Sequence, residues 1–255
     1  MKVELHTLPG IPLVKRDDDL LELIQDGLSR ADLVPQDGDV FVVAQKIVSK
    51  AEGRTVDLMD VMPSAKAREI AAKTEKDPRL VEVVLSESAS IVMVAKETLL
   101  MEHKLGFVMP NAGVDQSNVG PGQALLLPID PEFSAELLRE RLMNRFNVNV
   151  AVVINDSVSR AWRAGTCGVA LGCAGLPPLN DLRGLRDLLG RELKFTITGL
   201  ADEIASAASM CMGQGDEGTP VVVVRGLKWQ DRTKDDTPDW LRRPSVISPE
   251  LVTRV

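Results

Sequence analysis

Apolar residues along the chain follow two kinds of pattern. In the first they form short unbroken runs: Asp39 to Ala44 (DVFVVA), Ile91 to Ala95, Val148 to Ile154 with Asn149 as the only interruption, and Val221 to Gly226 (VVVVRG). Short β-branched runs of this kind suit strands buried on both faces. In the second they recur at helical spacing, as Leu20, Leu21, Ile24 and Leu28 do behind Asp17, Asp18 and Asp19. Those aspartates suit a helix start, as caps and against the macrodipole. Ser64 and Asp77 predict caps for two more helices, the second with Pro78 at its first position. A further helix is predicted from Ser134 to about Asn147, with Leu137, Leu138 and Leu142 on its inner face. The alanine- and serine-rich stretch ADEIASAASMCMG predicts another, stopping at Gly213. Shorter strands are predicted within MKVELHTLPG, ending near Met109, in TCGVALGCAG, and over Leu193 to Thr198. The stretch 227–255 is polar, holds Trp229, Trp240 and several prolines, and reads as a C-terminal arm.

Bulk properties narrow the class of protein. A chain of 255 residues, 44% hydrophobic and 26% charged, can bury a core as one large domain or two small ones. A net charge of -7 argues against nucleic acid as a partner, because that footprint would be basic. No apolar stretch approaches a membrane span, and MKVELHTLPG lacks the apolar core of a signal peptide. The three cysteines, Cys167, Cys173 and Cys211, form no zinc spacing and read as small hydrophobes in a reducing compartment, which points to the cytoplasm. With only His6 and His103 available, a metal would be held by oxygen ligands, hence magnesium or manganese.

Several stretches carry candidate chemistry. The run ending at Ile154 changes abruptly to Asn155, Asp156 and Ser157, followed by Arg160 and Arg163 around Trp162. A carboxylate, a hydroxyl and two guanidiniums at a strand tip are parts for holding metal and phosphate. Gln45, Lys46, Ser49 and Lys50 follow the DVFVVA strand, where lysines can meet phosphate as point charges. After Met109 comes a polar loop with Asn111, Asp115, Ser117 and Asn118 among Gly113, Gly120 and Gly122, a candidate ligand site. In DLRGLRDLLGREL the charges of Asp181, Arg183, Arg186, Asp187 and Arg191 either pair with one another or offer arginine forks to carboxylates and phosphates.

Familiar nucleotide motifs do not account for these parts. Gly213 to Gly218 matches G-x-G-x-x-G literally, yet it follows a predicted helix and precedes a strand, the reverse of a Rossmann fingerprint. No glycine is followed directly by lysine, so there is no P-loop, and neither a G-x-S-x-G elbow nor a kinase set of motifs is present. The flexible loop 213–218 can still present backbone amides to phosphate and oxygens to a metal.

Taken together, GIPLVK, DGDVFVVAQKIVSKAEGR, NAGVDQSNV, NDSVSRAWRAG, DLRGLRDLLGREL, ADEIASAA and MGQGDEGTPVVVVRG closely resemble the coenzyme F420-0:L-glutamate ligase (F420:gamma-glutamyl ligase) family, from Val3 to about Gly226. The resemblance implies an α+β, two-lobed gamma-glutamyl ligase fold with mixed sheets, residues 1–255 forming a single ligase unit of two interleaved lobes. It implies a cytoplasmic homodimer and a GTP-dependent ligase that adds L-glutamate to coenzyme F420-0, or a close deazaflavin precursor. Further gamma-linked glutamates follow in the family. It also implies two divalent ions, magnesium or manganese, with potassium as a helper in some members.

Carried over residue by residue, the metal ligands fall on Asp115, Asp156, Ser157 and Gln214. Nucleotide contacts fall on Ile11, Pro12, Leu13, Val14, Gln45, Lys46, Lys50 and Asn118, and on the loop of Met212, Gly213, Gln214, Gly215, Asp216, Glu217, Gly218 and Thr219. Lys50, Arg160 and Arg163 are candidates for the remaining phosphate charge. The family usually reads Asp-Thr-x-Gly-Arg-Pro-x-Arg where this chain has Asp156, Ser157, Val158, Ser159, Arg160, Ala161, Trp162 and Arg163. Serine keeps the hydroxyl, while the loop loses a permissive glycine and a rigid proline. The alternative function is a nucleotide- and metal-binding protein of the same fold that has lost ligation and acts as a sensor or partner. An oxidoreductase using the deazaflavin itself is weaker still, for want of any flavin-type motif.

Overall fold

A computed structural model of the protein describes residues 2–160 and 163–229, and the chain in it divides into two units. Of the described residues, the first unit takes those up to Glu52 and those over 130–229, and the second takes Gly53–Ile129. In chain order the first unit begins with β1 (Glu4–Thr7), α1 (Leu20–Arg30), β2 (Val40–Ala44) and α2 (Gln45–Ala51). The second unit follows with β3 (Thr55–Asp57), α3 (Ala65–Thr74), α4 (Pro78–Glu87), β4 (Ser88–Ala95), β5 (Thr98–His103), β6 (Val108–Pro110) and β7 (Gln123–Leu125). The first unit then resumes with α5 (Pro131–Phe146), β8 (Ala151–Ser159), β9 (Thr166–Ala174), β10 (Asn180–Asp181), β11 (Ile197–Thr198), α6 (Leu200–Met212) and β12 (Val221–Arg225). Helices set among several sheets, the largest mixed and the others antiparallel, make the fold α+β, as expected. The arm expected over 227–255 lies, beyond Trp229, outside the described residues.

The unbroken valine runs are explained by the first unit's five-stranded sheet, ordered β1-β12-β2-β8-β9. Phe41, Val43, Val152, Ile154, Val221 and Val223 point to one face, against Leu21 and Ile24 of α1, Ile47 and Val48 of α2, and Leu138 and Leu142 of α5. Val40, Val42, Ala151, Val153, Val222 and Val224 point to the other, against Ile204, Ala205, Ala208 and Met212 of α6. Both faces are covered, so both alternating sets must be apolar. Only β2 and β8 run parallel, and the remaining pairs in this sheet are antiparallel. Arg225 Nε and Nη2 donate to the two carboxylate oxygens of buried Asp39 at 2.8 and 2.7 Å, tying the end of β12 to the start of β2.

The second unit is built around its own core of Leu58, Ile70, Val81, Val84, Leu99 and Met101. Its helices start as expected, with Ser64 Oγ accepting from the Ala67 amide and Asp77 from the Arg79 amide. His103 is buried, and its Nδ1 accepts from the Leu105 amide at 2.9 Å, so its other nitrogen faces Glu87 at 3.6 Å. His103, with help from Arg54, holds the Glu87 carboxyl below the usual glutamate range.

Several boundaries differ from expectation. β8 begins at Ala151 rather than Val148, because α5 ends in a left-handed Asn147 (φ 52) and the next residues form a connector. It also runs past Ile154 to Ser159, because β9 continues to pair with Asp156, Ser157 and Val158. α5 starts at Pro131, capped by Asp130, and Leu137 is 47% exposed rather than on the inner face. The strand expected over Leu193 to Thr198 is confined to Ile197 and Thr198. Lys46 and Lys50 stand on a helix that follows β2 without a break.

Candidate functional site

Strand directions in the first unit bring distant segments to one end of the sheet. β2 and β8 are parallel, so both finish there, with Ala44 opposite Asn155. β12 is antiparallel to β2 and therefore begins there, with Val221 opposite Val43. β1 is antiparallel to β12 and finishes there, with Thr7 opposite Val222. The amides of Leu8 and Ala44 close this end by donating to the carbonyls of Val221 and Pro220 at 2.9 and 2.8 Å. The loop after β1, the start of α2, the far half of β8 and the loop before β12 thus issue from a common edge. Together with Lys50 further along α2 and Met212 at the end of α6, these segments carry every first-unit residue singled out for metal or nucleotide.

In the loop after β1, Ile11 and Val14 are buried in the sheet core, whereas Pro12 is exposed and Leu13 is 81% exposed. Only Pro12 and Leu13 therefore present side chains to a ligand; Ile11 and Val14 anchor the loop and offer backbone. Gly10, at φ +72, turns the chain into this loop, and the Arg30 guanidinium donates to its carbonyl.

On α2, Gln45 is buried and its Oε1 accepts from Ser49 Oγ at 2.9 Å. Lys46 and Lys50 are one turn apart and share a helix face. Burial, and then the neighbouring Lys46 charge, push the Lys50 ammonium below its usual pKa.

Along β8 the side chains alternate, and the extra residue of the bulge lies in β9, so the alternation persists through the polar stretch. Asn155 and Ser157 consequently face the α6 side, and Asp156 the side covered by α2 and α5. Asn155 is 4% exposed, with Nδ2 3.5 Å from Met212 Sδ and Oδ1 without a hydrogen-bond partner. Sequence reading noted its polarity but not that it sits beneath the last turn of α6; a lone polar residue at the end of a both-faces-buried run is the signal. Arg160 and Arg163 are both exposed, on either side of residues 161–162, which lie outside the described residues.

The loop after α6 turns at Gly213, whose φ of +74 suits glycine. Gln214 Nε2 lies 3.3 Å from Ser209 Oγ, and Thr219 Oγ1 donates to the Met212 carbonyl at 3.1 Å. Glu217 folds back so that its Oε2 accepts from the Gly215 amide at 2.7 Å. Backbone amides, first its own and then those of Gly215 and Gln214, hold its carboxyl below the usual range.

Asp115 and Asn118 belong to the second unit. The backbone of Asp115 bridges Leu125 in both directions, at 3.0 and 2.7 Å, which fixes it beside β7. Its carboxylate accepts from both the amide and the hydroxyl of Ser117 at 2.8 Å. The loop leading to it holds Asn111, Ala112 and Gly113 in succession at positive φ (52, 51 and 71). A left-handed alanine costs free energy and persists only where its surroundings over-determine it, and Ala112 is fully buried.

The donors singled out for metal are carboxylate, hydroxyl and amide oxygens, which suit magnesium or manganese. Among the described residues no group of three or more His, Cys, Asp or Glu side chains comes together to hold an ion. A cation at Asp156 would therefore complete its shell with neutral oxygens, water or substrate phosphate, as magnesium commonly does. A thiol nucleophile is disfavoured at Cys173, where burial pushes the pKa up to about 12. Among the described residues no helix is long and apolar enough to cross a membrane.

Comparison with known proteins covers almost the whole chain. A family model described as F420-0:Gamma-glutamyl ligase matches residues 10–226. The chain is 44% identical over 247 residues to the coenzyme F420:L-glutamate ligase of Methanothermobacter thermautotrophicus, covering 97% of this chain and 98% of that one. It is 50% identical over 226 residues to the protein of the same name from Methanopyrus kandleri, covering 89% and 88%. With that of Archaeoglobus fulgidus the figures are 45% over 227 residues and 89% of each chain.

Proposed function

The chain belongs to the F420-0:gamma-glutamyl ligase family, and from that premise we propose that it joins the amino group of L-glutamate to the terminal carboxylate of coenzyme F420-0, driven by GTP. Its relatives are named for ligating glutamate to coenzyme F420, and it matches them over most of their length. The observation that carries the nucleotide reading is the convergence at one sheet edge of the loop after β1, α2, the far half of β8 and the loop before β12.

Amide formation from a carboxylate and an amine in water is uphill, so the carboxylate must first be activated. In the proposed sequence a carboxylate oxygen of the acceptor attacks the γ-phosphorus of GTP, and GDP leaves. The glutamate amine then attacks the acyl carbon, the C–O bond to phosphate breaks, and the amine gives up a proton. Clustering these anions makes charge neutralisation the main task. Lys46 and Lys50 oppose phosphate charge, Pro12 and Leu13 offer apolar surface to the base, and the amides of the 212–219 loop face phosphate oxygens. In the first unit Asp156, on the face shared with α2 and α5, and Ser157 and Gln214 are the residues that would hold metal; in the second unit Asp115 is the residue that would hold metal, and Asn118 the one that would contact nucleotide. Bound divalent ions would supply neutralisation at the phosphate oxygens. GDP and glutamylated coenzyme should appear together, and only when acceptor, glutamate, GTP and divalent metal are all present.

A homodimer belongs to the same proposal, and one surface fits it. Residues 182–196 form a hairpin above the β10–β11 pair, closed by bonds such as Gly184 amide to Leu193 carbonyl at 2.8 Å and Asp187 amide to Arg191 carbonyl at 2.9 Å. Arg183 is spent on buried Asp181, a pairing its sequence neighbourhood allowed. At the tip Leu188 and Leu189 are 106% and 94% exposed, and Phe195 is 89% exposed. Arg186, Arg191 and Lys194 outweigh Asp187 and Glu192 there, in a chain of net charge -7, so an acidic second copy suits this basic, apolar-tipped hairpin. The double substitution Leu188→Asp, Leu189→Asp should shift the particle to monomer mass in light scattering with little change in melting temperature. An unchanged mass would place the contact elsewhere.

A further inference from the structure

The loop after α6 is wrapped around one of its own carboxylates. At Gly213 the φ of +74 and the absence of a side chain let the Glu217 carboxyl group lie directly over the backbone; a Cβ there would collide with its Cδ and both oxygens. The Gly215 amide donates to Oε2 at 2.7 Å, and the amides of Gln214 and Glu217 itself also act on the carboxylate. Successive backbone N–H groups converging on one anion form the concave nest by which glycine-rich loops hold phosphate. Here the nest is built and its occupant is supplied by the loop. A carboxylate and a phosphate cannot share the same donors, because donor capacity is fixed and like charges repel.

We propose that Glu217 is a resident stand-in for phosphate, which must swing away from the amides of Gln214, Gly215 and Glu217 before a nucleotide phosphate can enter. This rests on the reading that the 212–219 loop contacts the nucleotide. Glu217 keeps the loop shaped in the absence of ligand, and it sets a competition that weakens phosphate binding. It is a positioning residue for the loop rather than a group that touches the reacting atoms.

The test titrates inorganic pyrophosphate, and separately GTP, into the full chain and its Glu217→Ala and Glu217→Gln variants, following the Gly215 amide resonance. Glu217→Ala should bind pyrophosphate about tenfold more tightly than the natural chain, with Glu217→Gln between them because a neutral amide oxygen is the weaker competitor. The Gly215 amide proton should lose its downfield position in Glu217→Ala and regain it as pyrophosphate is added. Equal or weaker pyrophosphate binding by both variants overturns the proposal, since Glu217 would then be part of the site rather than its occupant. Should pyrophosphate follow the expected order while GTP binds none of the three proteins, the stand-in role holds and the nucleotide assignment of the loop fails.

Discussion

Asp156→Asn should lower metal-dependent turnover by about three orders of magnitude while the protein stays folded. Asparagine has nearly the same shape as aspartate and keeps one acceptor oxygen, so the substitution removes charge and little else. Asp156 lies in the part of β8 that extends beyond β2, where β9 is its strand neighbour and burial is only partial. Its loss therefore leaves the fully buried segment from Ala151 to Ile154 intact. Catalysis of phosphoryl transfer, by contrast, is mostly positioning and neutralisation of charge. If Asp156 holds metal as proposed and contributes about 4 kcal/mol to transition-state stabilisation, its loss corresponds to a factor of about a thousand in rate. Turnover measured across a magnesium and manganese series, with a thermal melt alongside, checks both halves. Natural rates in the variant would move the metal away from Asp156.

Gly172→Ala should be among the costliest small substitutions in the first unit. Gly172 lies in β9 opposite Ile154, where the first turn of α5 crosses it. A Cβ at this position would be 2.5 Å from the Pro131 carbonyl oxygen and 2.6 Å from the Glu132 amide nitrogen. These are backbone atoms at a capped helix start, and they cannot rotate away. The helix must lift, which loosens the packing of Ala135, Leu138 and Leu142 against the sheet. Overpacking of this kind costs about 3 kcal/mol, a large share of the roughly 5–15 kcal/mol by which domains are stable. The melting temperature should drop by about 10 °C, and Gly172→Val should fail to fold. A denaturation midpoint unchanged in Gly172→Ala would mean that α5 does not approach the sheet this closely.

Where burial or capping acts locally, the sequence was legible. β2 and β12 read as unbroken valine runs because α6 covers one face while α1, α2 and α5 cover the other. Asp19, Ser64 and Asp77 cap the helices they were expected to cap. α5 starts three residues ahead of the expected Ser134, because Asp130 caps it and Pro131 takes the first helical position, where its missing N–H costs nothing. The far half of β8 is polar and so does not extend the apolar run that ends at Ile154, yet pairing with β9 keeps Asp156 and Ser157 extended. α2 left no punctuation, since the chain passes from Ala44 in β2 to Gln45 in the helix without glycine or proline.

For the candidate site, the separate segments were visible as polar stretches following apolar runs. Their meeting point was not, because it depends on β12 lying between β1 and β2, a pairing across more than 200 residues that no local pattern carries. Leu13 and Val14 illustrate the finer limit. They are adjacent and both apolar, yet one is exposed at the sheet edge and the other buried in the core. The Glu217 carboxylate, likewise, reads in sequence only as one more acidic residue in a glycine-rich loop.

As proposed, this chain uses GTP to place glutamate on a deazaflavin coenzyme. The direct measurement incubates it with coenzyme F420-0, L-glutamate, GTP and magnesium or manganese, and follows nucleotide and coenzyme by mass spectrometry. GDP and a coenzyme heavier by a glutamyl residue should form in matching amounts, with neither formed when GTP or glutamate is withheld. GDP released with the coenzyme unchanged would contradict the proposal, and would leave a nucleotide-binding protein that has kept the ligase fold without the ligation.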